Sequence, residues 1–249
     1  MVPKIIHYCW FGGTKHPKLM KKCINSWKRV LPEYELRIWT EDSFDISKSV
    51  NYVQEAHQQK KYAFVSDYVR LYALYHYGGI YLDTDVEVLK DFSPLLKTET
   101  TFGFEDVGKI STAFIAVEPR AEWIKELLDM YAHRNFILPD GRNDQTTNVE
   151  FISKYLAEKK IDMQEDRVEE EHLTIYPIEF FSPKSWASGK YEITNNTYTV
   201  HYFAGTWHSL PVRVLSLFFT NEEIVKIASI KEKILRLIKK WIPTYAHKV

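Results

Sequence analysis

Between Tyr62 and Val88 the hydrophobic period of this chain changes abruptly. Residues 62–77, Tyr-Ala-Phe-Val-Ser-Asp-Tyr-Val-Arg-Leu-Tyr-Ala-Leu-Tyr-His-Tyr, are apolar almost all round, which predicts a helix buried over most of its surface. Gly78-Gly79 follow, and a glycine with positive φ is a common helix terminator. From Ile80 the pattern alternates. Ile80, Leu82, Thr84, Val86 and Val88 fall on one side of a predicted strand, and Tyr81, Asp83, Asp85 and Glu87 on the other. A buried helix that turns directly into a half-buried strand points to an α/β architecture. Alternate residues of a strand lie about 6.6 Å apart on one face, so Asp83 and Asp85 are expected side by side. Two such carboxylates suit a hard divalent cation, which takes oxygen ligands and bridges protein carboxylates to phosphate oxygens. The pattern therefore predicts a site that holds a diphosphate.

The preceding residues supply the rest of the α/β unit. Residues 4–11 read as a buried strand ended by Gly12-Gly13, and Pro17 suits the start of a helix. Leu19, Cys23, Ile24, Trp27 and Leu31 recur at helical spacing before Pro32 stops them. Tyr34, Leu36 and Ile38 then alternate with Glu35, Arg37 and Trp39. Strand, helix and strand within about 35 residues make a βαβ unit of a parallel sheet. Further on, the spacing predicts helices over 51–60, 119–134 and 144–159, and strands over 101–105, 110–117, 173–176 and 191–203. A charged surface connection is expected over 158–171.

No repeat or linker interrupts residues 1–220, which read as one domain. Residues 221–249 read as a separate basic amphipathic helix. Thr220-Asn221-Glu222-Glu223 fits a capping box. Ile224, Ile227, Ala228, Ile234, Leu235, Ile238, Trp241 and Ile242 form a stripe, with seven basic residues against three acidic ones over that span. Such a helix either packs on the domain or lies on an anionic membrane surface. Lysines plus arginines equal aspartates plus glutamates at 33 each, so no global field draws nucleic acid to the chain. The start, Met1-Val2-Pro3-Lys4, lacks the basic opening and apolar run of a secretory signal. No apolar run approaches the ~20 residues that span a bilayer. Cys9 and Cys23 lie in apolar surroundings and are expected to be reduced core thiols. The expectation is a cytoplasmic protein, with peripheral contact at the inner membrane face through residues 221–249.

Asp67 and Arg70 lie three apart on one face of the predicted helix, among apolar neighbours where an unpaired charge is costly. Either they pair to brace the helix end, or they flank a ligand beside the acidic strand. Trp10 and His201 fit core positions as well as ligand contacts when read from the residues alone. Asn143-Asp144-Gln145 fits the cap of a helix. Glu105-Asp106 ends a strand directed at the same region, where it would position an acceptor.

Three ordered blocks carry a wider resemblance: residues 3–13, Pro-Lys-Ile-Ile-His-Tyr-Cys-Trp-Phe-Gly-Gly; residues 63–71, Ala-Phe-Val-Ser-Asp-Tyr-Val-Arg-Leu; and residues 78–85, Gly-Gly-Ile-Tyr-Leu-Asp-Thr-Asp. A fourth, His201-Tyr202-Phe203-Ala204-Gly205-Thr206-Trp207, follows near the end. The chain resembles the family 32 glycosyltransferases, a DXD-motif group of capsular and other polysaccharide gene clusters and of yeast mannosyltransferases. More distantly it is similar to the catalytic domains of the large clostridial glucosylating toxins.

The resemblance implies a GT-A fold: a Rossmann-like α/β domain with a mixed central sheet flanked by helices. It implies that Asp83, Asp85 and His201 bind Mn²⁺ or Mg²⁺, and that Asp67 and Arg70 contact the donor sugar. It further implies that Tyr81 lies near the ribose and diphosphate, that Trp10 stacks on uracil with the Tyr8 backbone at the base edge, and that Asp144 and Gln145 touch sugar or acceptor. Thr206 and Trp207 would close over the diphosphate. The implied activity is metal-dependent transfer, with retention of anomeric configuration, from a UDP-sugar to a saccharide or lipid-linked saccharide acceptor. Asp67, Arg70, Asp83 and Asp85 would be the catalytic set. No residue pattern marks a carboxylate nucleophile of the kind used by retaining hydrolases. A nucleotidyltransferase, a phosphohydrolase or a non-catalytic sugar-binding protein are the competing classes. The late position of the motif and Glu87 in place of a threonine weigh against a DxDxT phosphohydrolase.

Overall fold

The computed structural model describes residues 1–163, 167–205, 219–220, 222–226 and 229. The chain divides into two compact units. One comprises Met1–Lys184 and Glu192–Ala204, and the other Ser185–Tyr191 and the residues from Gly205 on. In the second unit, Thr220 and Glu223 exchange the hydrogen bonds of the expected capping box, N–H to Oε2 at 2.8 Å and N–H to Oγ1 at 3.3 Å. Most of 221–249, and with it most of the predicted stripe, lies outside the described residues.

The first unit has nine strands and six α-helices among its described residues. The strands are β1 (Ile5–Cys9), β2 (Glu35–Trp39), β3 (Gly79–Leu82), β4 (Val86–Val88), β5 (Thr100–Asp106), β6 (Lys109–Val117), β7 (Val168–Glu169), β8 (Leu173–Tyr176) and β9 (Thr199–His201). The helices are α1 (Lys18–Val30), α2 (Asn51–Gln58), α3 (Tyr62–Tyr77), α4 (Glu122–Ala132), α5 (Asn148–Glu158) and α6 (Ile178–Phe181). Seven strands form a mixed sheet in the order β2-β1-β3-β6-β5-β8-β7, and β4 pairs with β9 in a small antiparallel sheet.

Strand alternation divides the core between the two sheet faces. Cys9, Trp39 and Tyr81 pack with Val65, Val69 and Leu71 of α3, Tyr131 of α4 and Ile152 of α5. Ile6, Ile80, Leu82 and Phe114 pack on the other face with Met20, Cys23 and Trp27 of α1 and Phe181 of α6. Cys9 and Cys23 are thus free, buried thiols in different clusters, as expected.

This topology locates a crevice. β1 lies between β2 and β3 and is parallel to both. The chain leaves β1 through α1 to reach β2, then crosses back to β3 on the other side of β1. In open α/β sheets ligands bind outside the carboxyl ends of strands at such a reversal. Trp10 follows the end of β1 and Asp83 follows the end of β3, so both residues stand at the switch point.

Three sequence expectations are corrected. The strand predicted to run from Ile80 to Val88 is two strands in different sheets, and Asp83-Thr84-Asp85 is the turn between them. The Val86 N–H closes this turn on the Asp83 carbonyl at 3.0 Å. Alternation continues across it because Leu82, Val86 and Val88 all enter the same core cluster, although β4 has left the main sheet for β9. The helix expected from Asp144 begins at Asn148, capped by Thr147 and Glu150 in a reciprocal capping box. The strand expected over 191–203 is only Thr199–His201, because β4 offers it a partner of only three residues.

The turn from α3 into β3 is fixed from β1. Gly78 and Gly79 have φ of +61° and +101°, and a Cβ on Gly79 would lie 2.6 Å from the Ile5 carbonyl oxygen. His7, fully buried on β1, has Nε2 2.9 Å from the Gly78 carbonyl oxygen, and its Nδ1 accepts from Trp39 Nε1 at 3.1 Å. The indole can only donate, so the His7 proton must sit on Nε2 and be given to Gly78. Both ring nitrogens are satisfied by a neutral imidazole. Burial, assisted by the Arg37 charge and opposed by the Gly78 hydrogen bond, lowers its pKa to about 4.

Candidate active site

The residues at the crevice form a connected ionic cluster. Arg70, almost wholly buried on α3, donates Nη1 to the Thr112 carbonyl at 2.7 Å. Its Nη2 lies 2.9 Å from Asp67 Oδ1 and 3.3 Å from Asp83 Oδ1. The guanidinium stands over the Tyr81 ring at 4.4 Å from the centroid, and the Tyr81 hydroxyl donates to Asp83 Oδ1 at 2.8 Å. The pairing reading of the Asp67–Arg70 spacing holds, and the pair also reaches the acidic turn through Asp83. Burial pushes the Asp67 carboxyl up to about 6, with Arg70 opposing and Asp83 adding to the rise. Arg70 stays charged, because Asp83, Tyr81 and Asp67 together outweigh its burial.

Asp85 is held from β9 and the residues that follow it. The Ala204 N–H donates to Oδ2 at 2.7 Å, the Tyr202 N–H donates to the Asp85 carbonyl at 3.1 Å, and His201 Nε2 lies 3.4 Å from Oδ1. Burial raises the Asp85 pKa, but the charge and hydrogen bond of His201 and the Ala204 N–H more than offset it and leave it low. Burial likewise pulls His201 down, yet Asp85 first, then Asp83 and Glu105, hold it at about 9. Phe203, with φ of +50°, turns the chain from β9 towards Asp85, and its ring packs on that of His201 at 4.0 Å.

Asp83, Asp85 and His201 each offer a ligand atom, and these atoms lie within 4.8 Å of one another. Two carboxylate oxygens and one imidazole nitrogen suit an ion that accepts both donor types, such as Mn²⁺, with water or phosphate oxygens completing the shell. The donor set fits the expected cation. The proximity arises from a turn that folds the two aspartates together, not from neighbouring positions on a strand.

The other expected residues are placed as follows. Trp10, half-buried, follows β1, donates its indole N–H to the Thr14 carbonyl at 2.8 Å and meets His16 edge-on at 5.7 Å. Tyr8 is buried edge-on against Trp27 at 5.4 Å. Asp144 does not cap a helix. It pairs with Arg134 at 2.6 Å and accepts from the Thr146 N–H, while Gln145 is exposed. Asp106 points to Lys109 at the exposed hairpin tip, whereas Glu105 turns inward towards His201. Thr206 and Trp207 lie outside the described residues.

Several contributors had no separate signal in the sequence. Asn148 accepts from the Tyr131 hydroxyl and donates to the Asp67 carbonyl at 2.7 Å, tying α5 to the helix that carries Asp67. Glu41 takes the Gly12 N–H at 2.7 Å and so fixes the loop after Trp10. The Thr112 and Ala204 contributions are backbone groups, which side-chain identity does not reveal.

Comparison with known proteins bears on the part of the chain that carries α3 and the acidic turn. Residues 17–102 match a glycosyltransferase sugar-binding region containing the DXD motif, a span that includes Asp67, Arg70, Asp83 and Asp85. The chain is 35% identical over 101 residues to inositol phosphoceramide mannosyltransferase 3 of Schizosaccharomyces pombe (strain 972 / ATCC 24843), covering 38% of this chain and 27% of that one. It is 26% identical over 161 residues to mannosyl phosphorylinositol ceramide synthase CSH1 of Saccharomyces cerevisiae (strain ATCC 204508 / S288c), covering 61% and 42%. The matches thus span less than half the length of these relatives. Among solved structures, PaToxG glycosyltransferase superposes with a TM-score of 0.51 at 20% identity, over 64% of this chain and 69% of that one. The fold is the GT-A glycosyltransferase fold, as expected, and fold and matched region together are those of a transferase enzyme.

Proposed function

We propose that this chain transfers a sugar from a nucleotide-sugar donor to a saccharide or lipid-linked saccharide acceptor, with retention of configuration, and that Asp83, Asp85 and His201 hold a divalent cation of the Mn²⁺ or Mg²⁺ type. The observation that carries this reading is the Asp83–Asp85–His201 cluster at the switch point, joined through Asp83 to Arg70 and Asp67. One relative named above is an inositol phosphoceramide mannosyltransferase and the other a mannosyl phosphorylinositol ceramide synthase, which supports a lipid-linked acceptor and makes mannose a candidate donor sugar beside those linked to UDP.

When bound, the cation would neutralise charge that builds on the departing diphosphate. Arg70 has its guanidinium fixed by Thr112, Asp67, Asp83 and the Tyr81 ring, so it needs no reorganisation to stabilise that charge. Asp67, paired with Arg70 through Oδ1, would accept a donor-sugar hydroxyl. Trp10 provides a stacking face for the base. The acceptor hydroxyl oxygen attacks the anomeric carbon on the face that the diphosphate leaves, the bond from that carbon to the phosphate oxygen breaks, and the acceptor proton passes to that oxygen.

Thermal-shift and hydrolysis measurements with uridine- and guanosine-linked sugars, with and without Mn²⁺, test the proposal. Metal-dependent stabilisation by a nucleoside diphosphate is expected in the parent chain and lost in Asp83→Ala and Asp85→Ala. Nucleotide binding that ignores both the metal and the substitutions would refute it. A trapped covalent sugar–protein adduct would refute the front-face route alone.

A further inference from the structure

His201 presents its two ring nitrogens to two different carboxylates. Nε2 faces Asp85 at 3.4 Å, on the side of the ligand cluster, while Nδ1 lies 4.0 Å from Glu105 Oε2. Nδ1 is buried and has no hydrogen-bond partner, and a buried unpaired ring nitrogen is costly. If Nε2 ligates a cation, it must carry a lone pair, so the proton of a neutral ring sits on Nδ1 and needs an acceptor. Histidines that bind metals ordinarily give that second N–H to a carboxylate, which fixes the tautomer and the ring orientation.

The backbone around Glu105 is irregular in the way this role requires. Phe104 pairs with Ile110 and Asp106 with Lys109, so β5 advances two residues while β6 advances one. Glu105 is the extra residue of a β-bulge, a device that re-aims a side chain. Its sheet face is the one that receives β9. Phe181 fills the space at Gly103, where a Cβ would meet it at 2.4 Å, and Thr199 of β9 donates to the Phe181 carbonyl at 2.7 Å. The neighbouring Asp106 points instead to the exposed hairpin tip. The two acids that the sequence presents as a pair have therefore separated, and only Glu105, its side chain mostly buried, faces the histidine.

We propose that Glu105 is a positioning residue that accepts the Nδ1 proton of His201 and holds the ring with Nε2 directed at the cation. The inference rests on the reading of Asp83, Asp85 and His201 as a metal site. It assigns Glu105 to the histidine and not to the acceptor.

The test is Mn²⁺ affinity of the full chain, read from the loss of the free-ion EPR signal without any nucleotide. Glu105→Leu is expected to weaken binding 10- to 100-fold, the usual effect of removing such a partner. Glu105→Gln, which keeps an acceptor oxygen, should restore most of it. Glu105→Ala replaces the leucine variant if that chain does not fold. The deciding comparison adds Glu105→Leu to His201→Ala. If Glu105 acts through the ring, the second change costs nothing further. An equal loss in both backgrounds, or no loss from Glu105→Leu alone, overturns the proposal. Absence of Mn²⁺ binding in the parent chain is a different result and would overturn the metal reading beneath it.

Discussion

His7 makes the stability of this fold depend on pH in a window that can be calculated. In the folded chain it is neutral, with Nδ1 accepting from Trp39 and Nε2 donating to Gly78. A second proton would have to sit on Nδ1 and face the indole N–H, so protonation breaks a hydrogen bond as well as burying a charge. The folded pKa is about 4 against an ordinary value of 6.5. Because the folded value is the lower one, the unfolded chain takes up the proton first as the pH falls. The contribution is complete above pH 6.5, and it is lost progressively between there and about pH 4. At ~1.36 kcal/mol per pH unit, that interval is worth about 3 kcal/mol, a large share of an ordinary domain's stability. The assay is urea denaturation of the parent chain and of His7→Gln at intervals from pH 8 to pH 4.5. Native carboxylates impose their own slope on both proteins, so the difference between the two curves isolates His7. That difference should be flat above pH 7 and should move in favour of the variant by about 1 kcal/mol per pH unit below 6. Parallel curves across the window would refute the assigned tautomer and the burial argument together.

Two further outcomes follow from the geometry of the crevice. Arg70→Lys keeps the charge but cannot reach Thr112, Asp67 and Asp83 at once, so turnover should fall by about 100-fold or more while the fold survives; kcat close to the parent value would count against the role given to Arg70. Gly79→Ala forces a side chain into positive φ and against the Ile5 carbonyl, and should cost about 1–3 kcal/mol in thermal unfolding, with an unchanged melting temperature refuting the close approach.

The α/β frame was legible because its elements are long and strongly periodic. Residues 62–77 form a helix with the bounds the sequence predicts, and the glycines after it do turn the chain into a strand. The Asp83–Asp85 turn was not legible. It contains no glycine or proline, and the residues on either side keep the strand period because both strands face the same core. Its existence depends on β9, more than a hundred residues later. Of the two readings of Asn143-Asp144-Gln145, the capping one fails: acidic residues near a helix start usually serve as caps, but the cap here, Thr147 with Glu150, lies three residues on. His7 stood inside the N-terminal motif but had no visible role, since its two partners are separated from it by 32 and 71 residues.

The pairing of β4 with β9 also joins two parts of the chain that leave the ribosome far apart in time. Asp85 and His201 are brought together by strands more than a hundred residues apart in the chain, and β6, which lies beside β3, comes between them. A chain emerging from the ribosome would expose both aspartates well before it could offer the histidine. The region that carries the DXD motif therefore cannot build this centre alone, and a fragment ending before Thr199 would hold two carboxylates and nothing to close over them. The Asp83–Asp85–His201 cluster is then complete only once β9 has paired with β4.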